Sequence, residues 1–308
     1  MHAVATLLEK DFLFGAAVLY NSLVKNGFDG IFIVGYKDRA TLPQAPLQEM
    51  QRTRDGLPAV EFLEVSTDWH LTNFKARFLL GLFGDRPELH KITYLDPDIV
   101  FAACPWEWVD SWSDHGPALC GDVNWWLPSG HPTRHEWNVW IEKAGLKPRS
   151  TDGIYFNGGL LGIKREDVRF LELWNHFIQC APEKNSLSVQ GDIGQWRRGM
   201  RANPFFAIDQ DALNMAAMSW VGRLSTLGPD AMGFTSGQVF FPHAVGANKP
   251  WRRRFLLEAV LGKPPRLVDK LFWQNASHPI AICPPFTIAV QRAKLALAAF
   301  VGRFYRRF

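Results

Sequence analysis

The chain has 308 residues, 47% of them hydrophobic and 21% charged, enough to bury a substantial core as one large domain or as one domain with an appendage. Its four cysteines, Cys104, Cys120, Cys180 and Cys283, lie far apart with no Cys-x-x-Cys pair, which argues against a disulfide framework or a zinc site and fits reduced thiols. The formal charge of +4 is uneven: residues 249–308 hold twelve Lys and Arg against two acids, and a mildly acidic body with a basic tail is not the footprint of a general nucleic-acid binder.

At the start, Glu9, Lys10 and Asp11 fall where a signal peptide needs an apolar core, so secretion is not expected. The apolar runs HAVATLL and GIFIVGY flank a helical stretch, FGAAVLYNSLVKNG, that ends on a glycine suited to a helix C-terminus. That β-α-β order opens a parallel-sheet α/β domain. A strand over AVEFLEV (59–65) precedes a helix over TNFKARFLLGLF (72–83), and HKITYLD then leads into YLDPDIVF (94–101). The apolar run stops there for Asp96 and Asp98. Extended backbone aims both carboxylates to one side, where they raise each other's pKa unless a positive group lies between them. Beyond the carboxyl end of a strand is also where open α/β sheets bind ligands. Read alone, Asp-Pro-Asp suits a solvated turn better than a cation site.

Four later stretches shift that balance. In CGDVNWW (120–126), Asp122 follows a strand and precedes Trp125 and Trp126, whose aromatic faces suit either the wall of a sugar site or plain packing. In GIYFNGGLLGI (153–163), paired glycines inside an apolar run mark a place where backbone or ligand comes close, and Asn157 offers both a donor and an acceptor. In IDQDALN (208–214), Asp209 or Asp211 can cap a helix, which leaves the other acid and Gln210 to be explained. In FPHAVGANKPW (241–251), His243 is a suitable third ligand for a divalent ion held by two carboxylates, and the oxygen–nitrogen set suits manganese. Gly246 and Lys249 in the same stretch suit a diphosphate.

Taken in order, VATLLEKDFLFGAAVLYNSL, FKAR, YLDPDIVF, YFNGGLLGI, DQDALN and HAVGANKPW resemble the family 8 retaining glycosyltransferases, which include bacterial lipooligosaccharide galactosyl- and glucosyltransferases and glycogenin. The resemblance covers roughly residues 3–251 and rests on the ordered set. It implies a GT-A nucleotide-diphospho-sugar transferase fold, α/β with a mainly parallel central sheet flanked by helices. It also implies a UDP-sugar donor, a saccharide or glycolipid acceptor in bacterial cell-surface glycan synthesis, and Mn²⁺ or Mg²⁺. By the same resemblance Asp96, Asp98 and His243 hold the metal, Gly246 and Lys249 meet the diphosphate, and Thr6, Leu7 and Phe12 surround the nucleoside. Arg77, Asn157 and Asp209 grip the donor sugar, Gln210 lies beneath the anomeric carbon, and Asp122 faces the acceptor. Phe12 stands where a tyrosine is frequent, FNGG replaces the commoner Asn-Ser-Gly or Asn-Ala-Gly, and Pro97 fills the centre of the Asp-x-Asp.

A neutral glutamine suits a weak partner beneath an oxocarbenium-like sugar, so front-face attack is favoured. A covalent intermediate on Asp209 or Asp211 stays open. The tail, TIAVQRAKLALAAFVGRFYRRF (287–308), places Val290, Ala293, Leu297, Phe300, Val301, Phe304 and Phe308 on one helical face, with Gln291, Arg292, Arg303, Arg306 and Arg307 towards the other. Its uninterrupted apolar stretch, Leu295 to Gly302, is too short to span a bilayer, and the helix suits either an anionic membrane surface or the protein's own body. The expected organisation is therefore a transferase domain over 1–251 and a basic extension over 252–308, in a cytoplasmic protein peripheral to the inner face of the cell membrane. The rival functions are a metal-dependent nucleotidyltransferase or phosphoesterase, a glycogenin-like self-glucosylating protein, and a non-catalytic sugar-binding module.

Overall fold

The computed structural model describes residues 1–52, 55–102, 105–123, 127–185 and 203–304. The chain is a mixed α/β protein in which parallel strand pairs outnumber antiparallel ones and helices flank the strands, as the sequence predicts. It forms two compact units that interleave along the sequence.

The first unit comprises Met1–Leu7, Val65–Leu95 and Val109–Pro229. Its strands are β1 (His2–Leu8), β4 (Lys91–Leu95), β5 (Ala118–Gly121), β6 (Phe156–Lys164) and β7 (Ser225–Leu227), in the order β1-β4-β6-β5-β7. β1 runs parallel to β4 and β5 to β7, whereas β6 is antiparallel to both its neighbours. Its helices include α3 (Leu71–Asp85), α5 (Pro132–Lys143), α6 (Val168–Cys180) and α7 (Ile208–Ser219). Apolar residues at helical spacing on α6 (Phe170, Leu171, Trp174, Phe177, Ile178) are buried, and α6 packs on both α3 and α7. β6 is the strand that carries Asn157 and its glycines, and it reads as a continuous buried run because both faces are covered.

The second unit comprises Leu8–Glu64, Asp96–Trp108 and Asp230–Phe308. It holds α1 (Phe12–Lys25), the parallel pair β2 (Ile31–Tyr36) and β3 (Val60–Glu64), and α2 (Gln44–Gln51). Towards the C-terminus come α8 (Phe255–Val260), α9 (Leu267–Gln274) and α10 (Pro285–Val301); α4 (Trp106–Trp112) straddles the boundary between the units. Residues 252–304 belong to this unit and are tied into it. The fully buried amide of Asn21 on α1 donates to the carbonyls of Asn275 and Ile280, both at 2.7 Å, and accepts from the Ile280 N–H at 2.9 Å.

α10 lies with its apolar face outward. Ile288 and Ala298 are its buried residues, whereas Leu297 and Phe300 are each 53% exposed and Phe304, just beyond it, 75%. Arg292, on the predicted polar face, stays exposed yet donates to the Trp273 carbonyl at 2.8 Å and to Ser277 Oγ at 3.1 Å. The helix is therefore docked on the protein's own body through Ile288 and Ala298, with Arg292 bonding at the edge of that contact. Among the described residues no helix is long and apolar enough to cross a membrane. Phe308, Arg306 and Arg307 lie outside the described residues.

Candidate active site

The chain leaves β4 at Leu95 and turns at once. The Ile99 N–H donates to the Asp96 carbonyl at 3.0 Å, closing a turn with Pro97 at its second position, where proline's fixed φ is favoured. After the turn the backbone pairs with a distant segment. Val100 N–H donates to the Pro242 carbonyl, Ala102 N–H to that of Phe240, and Ala244 N–H to that of Asp98, and Ile99 and His243 form an antiparallel bridge. That pairing carries the imidazole to the carboxylates. His243 Nε2 lies 3.2 Å from Asp98 Oδ1 and 3.9 Å from Asp96 Oδ2. The Asp-Pro-Asp stretch is thus both a turn and a three-donor cluster, whose ligand atoms all lie within 4.8 Å of one another.

A divalent ion fits this donor set. Two carboxylate oxygens and one imidazole nitrogen suit Mn²⁺ or Mg²⁺, and neither a thiol nor a fourth side chain closes the coordination sphere among the described residues. His243 Nδ1 is buried and has no hydrogen-bond partner among the described residues, so Nε2 is the nitrogen that engages the acids. Asp98 is 6% exposed and is also bonded by the Lys249 ammonium, which donates to the Ala244 carbonyl at 2.9 Å as well. Burial pushes the Asp98 carboxyl up, but the charges and hydrogen bonds of His243 and Lys249 outweigh it and hold the group well below the usual carboxylate range.

The approach of α1 to the turn is as close as the backbone allows. A Cβ on Gly15 would sit 2.1 Å from the Pro97 carbonyl oxygen. Just before that helix, Asp11 accepts from Arg252 Nε at 2.6 Å and Trp251 Nε1 at 2.9 Å. Phe12 carries the Lys249 ammonium 5.5 Å and the Arg252 guanidinium 5.2 Å from its ring centre.

In the first unit a second cluster gathers from three motifs. Asn157 Nδ2 donates to Asp122 Oδ2 at 2.7 Å, and Gln210 Nε2 donates to the same oxygen at 3.1 Å. Gln210 Oε1 accepts from the Gly158 N–H at 3.0 Å, so both ends of that amide are engaged. The glycine pair has the purpose its sequence suggested, because a Cβ on Gly158 would lie 2.7 Å from Asp209 Oδ2. Asp211 is fully buried; it accepts from the Tyr155 hydroxyl at 2.8 Å and from the Ala207 N–H at 2.9 Å, closing the start of α7.

Sequence reasoning missed Lys75. Within FKAR it singled out Arg77, whose exposed guanidinium lies 5.8 Å from the Trp69 ring centre and 5.9 Å from that of Phe74. Lys75, two residues earlier, is 3% exposed and donates to the Gly158 carbonyl at 2.9 Å and to Asp209 Oδ2 at 3.4 Å. The available signal was a lysine on the same helical face as Leu71, Phe78, Leu79 and Leu82, where burial demands a charged partner. Lys75→Met is expected to leave Asp209 buried without its cation and to destabilise the protein by about 3 kcal/mol, checked by urea unfolding. Thr6 is buried, and its Oγ1 has no hydrogen-bond partner among the described residues; Leu7 is buried beside it in β1. Trp125 and Trp126 lie outside the described residues.

The fold has solved counterparts. Apo WbbM, described as a bifunctional glycosyltransferase, aligns over 94% of this chain and 51% of its own, with a TM-score of 0.54 and 13% identity. The galactosyltransferase LgtC in complex with donor and acceptor sugar analogs aligns over 95% of this chain and 100% of its own, with a TM-score of 0.52 and 17% identity. The fold is GT-A. A Gln-to-Glu active-site mutant of LgtC gives the same result over 92% of this chain and 98% of its own, with a TM-score of 0.50 and 17% identity. This GT-A chain spans about half the length of WbbM. No protein-family model and no curated protein sequence matches it.

Proposed function

We propose that the protein is a metal-dependent retaining glycosyltransferase that moves a hexose from a UDP-sugar to a hydroxyl of a saccharide or glycolipid acceptor in bacterial cell-surface glycan synthesis. One observation carries the reading: Asp96, Asp98 and His243, separated by up to 147 positions, converge in a GT-A fold as a donor set for one divalent ion. In this reading those three residues hold Mn²⁺ or Mg²⁺, which when bound neutralises charge on the departing diphosphate. Lys249 and the Gly246 N–H bind that diphosphate. Thr6, Leu7 and Phe12 line the nucleoside position, and Arg77, Asn157 and Asp209 hold the donor sugar. Asp122 orients the acceptor hydroxyl.

Retention follows from front-face attack. The bond from the anomeric carbon to the phosphate oxygen breaks, the acceptor oxygen bonds to that carbon from the same face, and the acceptor proton passes to the departing phosphate. The hydrogen-bond pattern favours this over a covalent intermediate. Gln210 spends its carbonyl on the Gly158 N–H, Asp211 spends both oxygens on Tyr155 and Ala207, and Asp209 faces the Lys75 ammonium. Gln210 then serves as a fixed dipole beneath the oxocarbenium-like sugar.

The test is a panel of UDP-sugars with Mn²⁺, read by UDP release and by the anomeric configuration of the product. UDP release with retained configuration is expected. Consumption of a nucleoside triphosphate, or no turnover of any UDP-sugar, would refute the reading.

The outward apolar face of α10 supports a peripheral membrane role. Leu257, Val260 and Leu261 in and after α8, which packs on α10, are exposed as well, in a segment that carries a net +10. Phe300→Ser combined with Phe304→Ser is expected to release the protein from anionic vesicles while leaving turnover on a soluble acceptor unchanged. Equal sedimentation of variant and wild type with such vesicles would refute it.

A further inference from the structure

The stretch after His243 is exposed only at its tip. Gly246, Ala247 and Asn248 are open, whereas Ala244, Lys249 and Pro250 are buried. Gly246 has φ +85°, and a Cβ there would meet nothing within 4 Å, so glycine is required by backbone conformation and not by crowding. A three-residue tip of this kind keeps one shape only if its polar groups are tied down. Among the described residues one side chain ties it: Arg266, ahead of α9, donates through Nη2 to the Asn248 carbonyl at 2.7 Å and through Nη1 to the Val245 carbonyl at 3.3 Å.

Arg266 is itself held rigidly. Its Nε and Nη2 reach Asp269 Oδ2 and Oδ1 at 3.2 and 3.1 Å, and its backbone N–H reaches Oδ2 at 2.7 Å. Asp269 is fully buried and also accepts from Arg253 Nη1. Arg253 is anchored in turn on Glu258, and Trp273 Nε1 holds the Pro250 carbonyl at 3.3 Å. A planar fork that bridges two carbonyls and a carboxylate is a task for arginine that lysine cannot perform.

Peptide geometry gives the clasp a direction. In a trans peptide the C=O and the following N–H point opposite ways, so turning the Val245 carbonyl to Arg266 turns the Gly246 N–H away from it. We infer that Arg266 is a positioning residue for the diphosphate: it acts through the 245–248 backbone to aim the Gly246 N–H, and it fixes the loop from which Lys249 extends. The C-terminal segment is then part of the nucleotide site. This rests on the UDP-sugar reading above.

The experiment compares full-length wild type and Arg266→Lys by calorimetric titration of UDP in the presence of Mn²⁺, together with melting temperatures and donor kinetics. About tenfold weaker UDP binding is expected for the variant, with a raised donor KM and a kcat within about twofold, because binding common to ground and transition states is what the loop supplies. A melting temperature that drops while UDP affinity stays at the wild-type value would overturn the inference and leave Arg266 with a structural role alone. A wild type that binds no UDP at all would instead remove the UDP-sugar reading on which the inference stands. Should the variant not fold, hydrogen exchange of the wild type decides: UDP with Mn²⁺ is expected to slow exchange of the Gly246 amide, and an unchanged rate would overturn the inference.

Discussion

Asp98→Asn is expected to abolish Mn²⁺ binding and reduce transfer by at least ~10³-fold, since the lost carboxylate is a metal ligand in the proposed site. The same change is expected to destabilise the fold by about 3 kcal/mol, because it leaves the buried Lys249 ammonium without its counter-charge. Asp96→Asn is the matched control. Its side chain is 21% exposed against 5% for Asp98, so it should remove the metal with little change in stability. The pH dependence has a definite sign. The Asp98 carboxyl is held below its ordinary value, so its contribution is complete above the unfolded-state pKa of about 4 and is lost as pH falls through its lower folded value. Wild-type stability should therefore fall off below about pH 4, and the Asp98→Asn curve should be flatter there. Denaturant unfolding between pH 7 and 3, with manganese binding followed by electron paramagnetic resonance, checks both halves. Equal stability of the two variants at pH 7 would contradict the buried-pair argument, and wild-type turnover in EDTA would contradict the metal role.

Gly15→Ala tests whether α1 sets the geometry of the metal turn. The added methyl would lie 2.1 Å from the Pro97 oxygen and 3.0 Å from the Trp251 ring, so either the helix or the turn must move. Alanine is otherwise the better helix former, and at an open position the change would stabilise by roughly 1 kcal/mol. Here overpacking against backbone should dominate, at about 1–3 kcal/mol of destabilisation. Because the displaced oxygen belongs to the residue between Asp96 and Asp98, Mn²⁺ affinity should drop by about tenfold or more, given the cost of misplacing ligands by fractions of an ångström. A variant as stable as wild type with unchanged Mn²⁺ affinity would show that the contact relaxes freely.

Much of the local structure was legible because it is encoded by neighbours. HAVATLL is β1 (His2–Leu8), GIFIVGY gives β2 (Ile31–Tyr36), and TNFKARFLLGLF falls within α3 (Leu71–Asp85), each read from apolar spacing and flanking turn residues. The helix expected from Phe14 starts at Phe12, an ordinary end effect. Gly158 was legible too, since a glycine pair in a buried strand announces a close approach, although nothing local says that Asp209 is what approaches. Lys75, Arg266 and Gly15 were illegible for a common reason. Their partners stand 134 positions away at Asp209, 18 and 21 at Asn248 and Val245, and on the far side of β4 at Pro97. No periodicity links such positions.

The tail marks the limit most clearly. Its helical period and its split into apolar and basic faces were visible, yet the side that packs inward runs through Ile288 and Ala298, beside Arg292, whose exposed guanidinium finds carbonyl acceptors at the end of α9. Asp209, Gln210 and Asp211 make the same point within three residues: one faces a buried lysine, one bridges Gly158 and Asp122, and one closes a helix start.

What the amino-acid order determined alone was which segments become strands and helices, and which residue types are available for chemistry, since both depend on side-chain character and spacing along a few turns of chain. Which acid meets the imidazole, which lysine is buried, and which face of the last helix meets solvent were decided only on folding. Those outcomes depend on desolvation and on hydrogen-bond partners that exist only when distant segments are packed together.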